Sequence, residues 1–367
     1  DHPYITLEPK FEAKQIGVFG RMAELGCIYK GMRPVYWCPS CETALAEAEI
    51  EYQEDQGNSI YVKFPMKDDK GKLKGIVDTL DNLFVVIWTT TTWTLPGNLA
   101  ISLNPEFVYA VVEAENGERY IMAKELVGNV MKVAGIEQYK VLGEIMGSEL
   151  EYTVCAHPFL NRDSLVIVGD HVTLDAGSGC VHTAPGHGAE DFEVCKKYPE
   201  IGVIVPVDDK GHLTKEAGPF AGLYYKAANK AILQHLKDSG MLLAEEHIVH
   251  QYPHCWRCKE PIIYRATEQW FISINKIRQQ ALDAIKDVRW IPEWGEERIS
   301  KMVEERGDWC ISRQRIWGLP IPIFYCKSCG KPIINKETIE AVQKLFEKEG
   351  SNAWFRHDAS EILPRGY

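Results

Sequence analysis

The 367-residue sequence has no uninterrupted apolar run that approaches the ~18 residues of a membrane-spanning helix, so such a span is excluded. Basic residues are in deficit, because 41 Lys and Arg stand against 52 Asp and Glu, and the net charge is −11. A general nucleic-acid coat protein would be basic, so this charge argues against one while leaving room for a local basic groove. We also find no internal repeat and no low-complexity tract. The composition is that of an ordinary soluble globular protein.

Neither end of the sequence has the features of a natural terminus. Asp1 is not an initiator Met and opens no basic-then-apolar leader, and the chain stops abruptly at Tyr367. We therefore expect a piece of a longer protein. At ~100–200 residues per domain, this piece has room for two or three domains.

The eleven cysteines do not indicate a disulfide scaffold, because they are few for a chain of 367 residues and because their number is odd. Six of them form three CxxC pairs, namely Cys38/Cys41, Cys255/Cys258 and Cys326/Cys329. Two such pairs supply the four thiolates of a tetrahedral zinc site, and the flanking aromatic and proline residues favour zinc over a redox motif. The others are predicted to be buried apolar side chains, namely Cys27, Cys155, Cys180, Cys195 and Cys310. Free thiols indicate a reducing compartment, so we expect a cytoplasmic protein.

Three CxxC pairs leave one pair without a partner. If the first two pairs share an ion, residues 42–254 leave the metal and return to it, and this span is too long for a loop. It would then be an inserted domain with its ends held together. The second and third pairs could instead share the ion, and the spacing does not decide between the two pairings.

The periodicity predicts a β-rich middle of the chain with few helices. Residues 59–247 read mostly as strands, with a central strand at Phe84–Trp88 and a hairpin turn at Asn116-Gly117. From about residue 263 the pattern turns helical and polar. Helices are predicted over 9–31 with Gly31 as a stop, over 123–134, over 226–239, and over 336–349 with Asn335 as N-cap.

A run of threonines follows the central strand, with five threonines in residues 89–94. Hydroxyls at the end of a strand can orient a polar ligand or a water molecule. The alternative is a strand-forming run whose hydroxyls bond to the backbone.

The glycine-rich segment 177–191 contains His182, His187 and Asp191. One interpretation is a metal-dependent hydrolase with these three side chains as ligands. A second is a metal-free polar pocket that positions a water molecule, and a third is a plain glycine-rich turn. We favour the metal-free pocket, because no HExxH spacing is present and Pro185 prevents a simple helix between the histidines.

Residues 308–318 interleave arginines with two tryptophans. Such a mixture suits a phosphate backbone and stacked bases. It would look the same if these side chains packed on a core at the end of a helix.

Together these motifs resemble one family, the bacterial isoleucyl-tRNA synthetases of class I. The stretches that carry the resemblance are residues 36–47, 87–98, 181–191, 252–258 and 308–318. Valyl and leucyl relatives share the plan, but their threonine motif usually reads TTRP, which disfavours the corresponding fragment of either. A non-enzymatic zinc-knuckle RNA-binding module is the other alternative. Two residues depart from the family pattern: Thr92 stands where proline is normal, and Gly97 where alanine is usual.

The resemblance implies an α+β fold. A β-rich, barrel-like editing domain (connective peptide 1) would be inserted into pieces of a class I Rossmann catalytic domain, with zinc-knuckle modules. The implied ranges are 1–32 and 263–325 for the catalytic pieces, 33–52 plus 249–262 for the first zinc-knuckle module, 53–248 for the editing domain, and 326–367 for a second, incomplete module. The ATP-binding HIGH and KMSKS motifs are not in the sequence, so this piece is expected to lack synthetic activity.

The resemblance also implies roles for the site residues. Thr89, Thr90 and Thr91 would orient the ester and the terminal adenosine, His182 would lie by the ribose and the amino-acid side chain, and Asp191 would anchor the α-ammonium. Further substrate contacts would come from Trp88, Asn98, Gly186 and His187. Contacts to tRNA would come from Arg313, Arg315 and Trp317.

The implied cofactors and partners follow from the same family. Zn²⁺ would be held by Cys38, Cys41, Cys255 and Cys258, while Cys326 and Cys329 would be half of a second site. The reaction would be the hydrolysis of mischarged valyl-tRNA(Ile), with valyl-adenylate as a second expected substrate. The complete enzyme would use isoleucine, tRNA(Ile) and ATP with Mg²⁺, and would be a monomer with no membrane partner.

Overall fold

A computed structural model describes residues 3–367, which fall into two compact units, one of residues 33–267 and one of the remaining described residues. Residues 1 and 2 of the expected 1–32 piece lie outside the described residues. Across residues 3–367, every helix is too short or too polar to span a bilayer. The domain ranges implied by the resemblance remain a prediction.

The described residues form sixteen strands and nine α-helices, and most of the strands lie in the middle of the chain. The strands are β1 (Ile28–Cys38), β2 (Thr43–Leu45), β3 (Ile50–Asp68), β4 (Leu83–Thr89), β5 (Ala100–Leu103), β6 (Val108–Ala114), β7 (Arg119–Ala123), β8 (Tyr139–Met146), β9 (Val154–Ala156), β10 (Asp163–Val168), β11 (Cys180–Thr183), β12 (Leu242–Cys255), β13 (Ile263–Ile272), β14 (Trp309–Cys310), β15 (Phe324–Tyr325) and β16 (Pro332–Ile333). The α-helices are α1 (Pro9–Glu24), α2 (Val127–Val133), α3 (Gly147–Leu150), α4 (Ala189–Cys195), α5 (Tyr225–Asp238), α6 (Asn275–Lys286), α7 (Trp294–Glu304), α8 (Lys336–Glu349) and α9 (Ala359–Ile362).

A ten-stranded sheet dominates the unit of residues 33–267, in the order β12-β3-β9-β10-β5-β11-β4-β7-β6-β8. Strand β3 also pairs with β4, so the six strands from β3 to β4 close on themselves. Closure removes the exposed edges that an open sheet would present there. The predicted α+β architecture is confirmed at the level of a mixed α/β fold with a large sheet.

Strand β4 lies in the interior of this sheet, as its continuous apolar run predicts, with β3 antiparallel and β7 and β11 parallel to it. Its side chains from Leu83 to Ile87 are buried. Trp88 pairs with Val181 of the parallel strand β11. The carboxyl ends of two parallel neighbours meet at one edge, so the segments that follow Thr89 and Thr183 are brought together.

The predicted hairpin is also confirmed, because β6 and β7 pair antiparallel around Gly117, whose φ is 80°. The helix predicted over 336–349 is α8, and the side chain of Asn335 accepts a hydrogen bond from the Thr338 N–H at 3.0 Å. This is the N-cap expected of asparagine at that position.

Two predicted boundaries are wrong. Helix α1 ends at Glu24, before residue 31, because Gly26 adopts a left-handed conformation with φ of 67°. The Gly26 and Cys27 N–H groups then bond back to the last turn, and Gly31 lies inside β1. Residue 263 begins strand β13 instead of a helical region, and helices resume only at Asn275. In both cases the structure has a strand where the sequence pattern predicted a helix.

The unit that contains both chain ends has its own core. Helices α1 and α8 pack against each other there through Ala13, Ile16, Ile339, Val342 and Phe346. All five are buried, and three of them repeat at helical spacing on α8.

An ion pair between a buried lysine and a half-buried glutamate lies within the large sheet, beside strand β4. Lys63 of β3 bonds to both carboxylate oxygens of Glu118 at 2.7 and 2.8 Å, and its ammonium lies 5.0 Å from the Phe84 ring centroid. Burial raises the pKa of Glu118, but the hydrogen bonds from Lys63 and Tyr120 outweigh it, and the pKa is lowered overall. The Glu118 carboxyl is therefore ionised at neutral pH.

Removing one partner should be far more damaging than removing both. We expect Glu118→Ala to lower the free energy of unfolding by about 3–5 kcal/mol, because Lys63 would be left buried without its counter-charge. The double variant Lys63→Met/Glu118→Leu should recover most of the loss, and Glu115→Ala at an exposed position should have almost no effect. Urea unfolding of the four proteins measures this. A Glu118→Ala protein as stable as the wild type would contradict the account.

Candidate functional site

A cavity of about 280 Å³ opens where the segments after β4 and β11 meet. Its walls are formed by Tyr52, Thr89, Thr91, Trp93, Thr94, His182, Ala184, His187, Asp191, Tyr252, Pro253 and Tyr264. Of the residues predicted for the site, five lie in this wall: Thr89, Thr91, His182, His187 and Asp191. The two polar segments singled out in the sequence therefore form one site.

Four other predicted residues do not line the cavity. Thr90 is exposed to solvent, Trp88 is half-buried on β4, and Asn98 is fully buried behind the wall. Gly186 is buried, and its carbonyl accepts a hydrogen bond from the Ala266 N–H at 2.7 Å. Asn98 and Gly186 are therefore buried outside the lining, whereas Thr90 faces solvent.

His182 is held through both ring nitrogens. The Asn98 side-chain amide donates to Nδ1 at 2.9 Å and to the Ala100 carbonyl at 2.8 Å. The Thr94 hydroxyl oxygen lies 3.1 Å from Nε2, and the same hydroxyl donates a hydrogen bond to the Thr91 carbonyl at 2.7 Å. Nε2 must therefore carry the ring proton and donate it to Thr94.

Burial, together with the neighbouring His157 and His187, lowers the pKa of His182 to about 3. The ring is neutral at physiological pH. Because Nδ1 and Nε2 are both engaged, His182 has no free lone pair for a metal ion or for a proton from water. It is suited to be a fixed wall of the cavity.

Asp191 is the acid of the cavity. One of its carboxylate oxygens, Oδ2, accepts a hydrogen bond from the Ala184 N–H at 2.8 Å. Burial and, to a smaller extent, the nearby Glu190 raise the pKa of Asp191 to about 6, against the lowering effect of this hydrogen bond. Gly188 leaves room for this carboxylate, since a Cβ at residue 188 would lie 2.8 Å from the Asp191 Cγ. At pH 7 the site therefore presents a mostly ionised carboxylate.

His187 forms another wall with a fixed orientation. Its Nδ1 donates to the Tyr264 carbonyl at 3.0 Å, and its ring meets Trp93 edge-on at 4.9 Å. Burial lowers its pKa to about 4, so the ring is neutral. A Cβ at Gly97 would lie 2.8 Å from His187 Cδ2, so the glycine found where alanine is usual provides the room for this ring.

Sequence reasoning missed two parts of the wall. Trp93 and Thr94 were within the threonine motif, and the buried environment of Thr94 is what makes it a partner of His182. Three tyrosines also line the cavity, namely Tyr52, Tyr252 and Tyr264. Tyr252 and Tyr264 lie on the two strands that flank the Cys255/Cys258 pair, and this position is the signal that could have identified them.

Four cysteines meet beyond these tyrosines. The sulfur atoms of Cys38, Cys41, Cys255 and Cys258 all lie within 4.8 Å of one another, and the Sγ atoms of Cys38 and Cys258 are 3.4 Å apart. The structure thus decides the pairing that the spacing left open. In the absence of a cation, burial raises the pKa of Cys38, and a bound ion would supply the charge that thiolates need there. The donor set and its burial fit a tetrahedral metal site.

The remaining cysteines differ from this cluster. Cys326 and Cys329 lie on the turn between β15 and β16, where Cys329 is exposed and Cys326 Sγ is 3.1 Å from Ser328 Oγ. The predicted burial of the other five is confirmed, namely Cys27, Cys155, Cys180, Cys195 and Cys310.

The predicted tRNA-binding residues belong to the unit that contains the chain ends, not to the unit of the cavity. The Arg313 guanidinium donates to the carbonyls of Cys310 and Ser312 at 3.0 and 2.7 Å. Arg315 is exposed, and Trp317 is 85% exposed.

Comparison with known proteins identifies the family. A family model described as tRNA synthetases class I (I, L, M and V) matches residues 1–366. The isoleucine–tRNA ligase of Caldicellulosiruptor bescii is 63% identical over 366 residues, which are 100% of this chain and 40% of that protein. That of Thermoanaerobacter sp. strain X514 is 60% identical over 366 residues, 100% of this chain and 39% of the protein. The chain thus spans about two-fifths of the length of these curated relatives.

Two solved structures show a weaker likeness. The cytosolic leucyl-tRNA synthetase editing domain of P. knowlesi is 12% identical with a TM-score of 0.41, covering 53% of this chain and 96% of that domain. The corresponding P. falciparum domain is 9% identical with a TM-score of 0.40, covering 52% and 98%. The motif-based resemblance to bacterial isoleucyl-tRNA synthetases is confirmed by the sequence relatives, and the chain belongs to the class I tRNA synthetases.

Proposed function

We propose that the cavity hydrolyses valyl-tRNA(Ile), and so is the editing site of an isoleucyl-tRNA synthetase. The observation that carries the proposal is the joining of a neutral histidine wall, threonine hydroxyls and a buried carboxylate in one small cavity. Valyl-adenylate is a second candidate substrate. The relatives described above are isoleucine–tRNA ligases, which favours this substrate over those of valyl or leucyl enzymes.

A physical limit explains why a second site is needed. Valine lacks one methylene of isoleucine, and a hydrophobic pocket gains only ~1–3 kcal/mol from that group. Isoleucine against valine is the standard illustration of this limit, and the figure is general, not a measurement on this structure. A synthetic site that fits isoleucine must admit valine. A second cavity too small for isoleucine can then remove the error by hydrolysis.

The chemistry needs positioning more than a covalent nucleophile, because an aminoacyl ester is already activated and an oriented water molecule suffices. Asp191 would bind the α-ammonium through a charge-assisted hydrogen bond. The hydroxyls of Thr89 and Thr91 would orient the ester. The neutral His182 ring would limit the size of the amino-acid side chain.

The aromatic side of the cavity suits the terminal adenosine. Tyr52 is exposed, while Tyr252 and Tyr264 are half-buried, and all three line the cavity. Stacking of a base on an aromatic ring is worth about 1–3 kcal/mol and needs no particular base edge. The tyrosines would thus hold the nucleoside while His182 and Asp191 select the amino acid.

For the longer protein, we propose the activity that its relatives are named for, ligation of isoleucine to tRNA(Ile) with ATP and Mg²⁺. Arg313, Arg315 and Trp317 would contact the tRNA, and the residues that bind ATP would lie outside this chain. A monomer in the cytoplasm is the expected state. The implied domain ranges, including the Rossmann pieces, are part of this proposal.

The four-cysteine cluster would hold a structural Zn²⁺. Zinc bound by four thiolates stabilises a fold and takes no part in ester hydrolysis here. Cys326 and Cys329 would be half of a second site.

We expect one tightly bound zinc ion per chain, which Cys255→Ser should lose and Cys310→Ala should keep. Cobalt substitution should give the sulfur-to-metal charge-transfer band of a tetrathiolate site in the wild type and in the Cys310→Ala control. Metal analysis and absorption spectra measure both. Full zinc content in Cys255→Ser would show that the cluster is not the site.

The proposed role of Asp191 gives a pH dependence. Hydrolysis of valyl-tRNA, corrected for the spontaneous rate, should rise with pH through about 6 as the carboxyl ionises, and then level off. Asp191→Asn keeps an acceptor for the Ala184 N–H but removes the charge. On the ~2–4 kcal/mol scale of one electrostatic contact, it should reduce the rate at pH 7.5 by at least ~30-fold and abolish the acid limb.

Glu190→Gln is the matched control for that profile. It removes a negative charge next to Asp191 outside the cavity, so the acid limb should move to lower pH while the plateau rate is unchanged. An Asp191→Asn enzyme with the wild-type rate and profile would refute the anchoring role.

His182→Ala should change selectivity. Loss of the ring enlarges the cavity, so isoleucyl-tRNA, which the wild type should leave intact, is expected to be deacylated. His247→Ala, at an exposed histidine of β12, should behave as the wild type does. Deacylation of both charged tRNAs measures the ratio. If the isoleucyl-tRNA of His182→Ala stays as stable as with the wild type, the ring is not the size limit.

A further inference from the structure

The 3-10 turn over Thr92–Gly97, here called the threonine turn, is buried but belongs to no strand. Its backbone groups must therefore find partners outside a ladder, because an unpaired buried N–H or C=O is costly. Within the turn, Thr94 N–H bonds to the Thr91 carbonyl at 3.1 Å, and Asn98 N–H bonds to the Leu95 carbonyl at 2.9 Å. These bonds leave the Pro96 carbonyl and the second lone pair of Leu95 for other donors.

One loop supplies both donors. His157 Nε2 lies 2.9 Å from the Leu95 carbonyl oxygen, and Arg162 Nη2 lies 2.7 Å from the Pro96 carbonyl oxygen. Both side chains come from residues 157–162, between β9 and β10. Two successive carbonyls of the threonine turn are thus fixed from one short segment.

The 157–162 loop is itself built to be rigid. His157 Nδ1 accepts from the N–H groups of Phe159 and Leu160 at 3.3 and 3.2 Å, and the His157 N–H donates to the Arg162 carbonyl at 2.9 Å. With Nδ1 accepting, the ring proton sits on Nε2 and points at Leu95. Burial lowers the pKa of His157 to about 3, so this arrangement holds at every working pH.

What the loop holds is the support of the cavity wall. Thr94 of the threonine turn and Asn98 just after it contact the two nitrogens of His182. Leu95 and Pro96 lie between Thr94 and Asn98 in the chain, so a shift of their carbonyls would move both hydrogen bonds to His182. We propose that His157 and Arg162 are positioning residues that hold His182 in the orientation that selects against isoleucine. This inference rests on the proposed editing function.

Arg162 offers the cleaner test, because it is half-buried and its replacement should not prevent folding. Arg162→Met removes the donor, Arg162→Lys restores a charged donor, and Asn161→Ala is a control at an exposed position of the same loop. Three quantities are measured: the kcat and KM of valyl-tRNA hydrolysis, the ratio of valyl to isoleucyl hydrolysis, and the ring ¹⁵N–¹H correlations of His182.

We expect Arg162→Met to lower kcat by about 10- to 100-fold with KM within about twofold, because the N-cap residue of the threonine turn is Thr91, which orients the ester, and displacement of a positioned group by ~1 Å can cost ~10²-fold. The selectivity ratio should fall as well. The His182 spectrum should change from a single Nε2–H tautomer to a mixture. Arg162→Lys should recover the spectrum and most of kcat, and Asn161→Ala should match the wild type.

Wild-type kcat, selectivity and His182 spectrum in Arg162→Met would overturn the inference, and so would a Lys variant that recovers none of them. The spectrum separates this inference from the proposed function. If the wild-type protein hydrolyses no aminoacyl-tRNA, the editing proposal fails, while a spectrum that changes in the Met variant and returns in the Lys variant still supports the positioning role.

Discussion

The cavity depends on hydrogen bonds made by polar groups that are buried away from water. His182 can be neutral, buried and immobile only because Asn98 donates to one of its nitrogens and Thr94 accepts from the other. Each of these partners is engaged in turn, since Thr94 donates to the Thr91 carbonyl and Asn98 to that of Ala100. Because an unmade buried hydrogen bond costs about 1–3 kcal/mol, the chain of partners has little freedom to rearrange. A fixed wall is what size selection requires.

Strands β12 and β13 connect this cavity to the cysteine cluster. Strand β12 carries Tyr252 and Pro253 in the cavity wall and ends at Cys255. Strand β13, which begins after Cys258, carries Tyr264, whose carbonyl holds His187. Order at the cluster and order at the tyrosine side of the cavity are thus linked through short pieces of backbone. The four cysteines can therefore affect the cavity by ordering its backbone, without taking part in its chemistry.

Much of this could be predicted from the sequence, and the reasons for the failures are physical. The run Phe84–Trp88 is apolar on both faces, so its place inside the sheet followed directly from its pattern. The end of α1 was misjudged because Gly26 stops the helix by its left-handed conformation before Gly31 is reached. The start of β13 was missed because strand pairing overrides the helical periodicity read from residue 263 onward.

For the site, too, the features set by local sequence could be predicted, and those set by contacts between distant segments could not. The threonine and glycine-rich segments could be identified because chemistry-bearing residues cluster in the sequence. Burial of Asn98, which makes it a support of His182, depends on the pairing of β5 with β11. The tyrosine wall depends on the return of the chain to the cysteine cluster. Neither arrangement can be read from spacing, because distant segments create both.

The most direct test of the account is a crystal structure of the protein with a non-hydrolysable amide analogue of valyl-adenosine. The account predicts the valine ammonium within hydrogen-bonding distance of Asp191, the isopropyl group against the His182 ring, and the adenine among the tyrosines. The His182 ring should keep its contacts to Asn98 and Thr94. An analogue that binds elsewhere on the protein, or that occupies the cavity with its ammonium turned away from Asp191, would contradict the account.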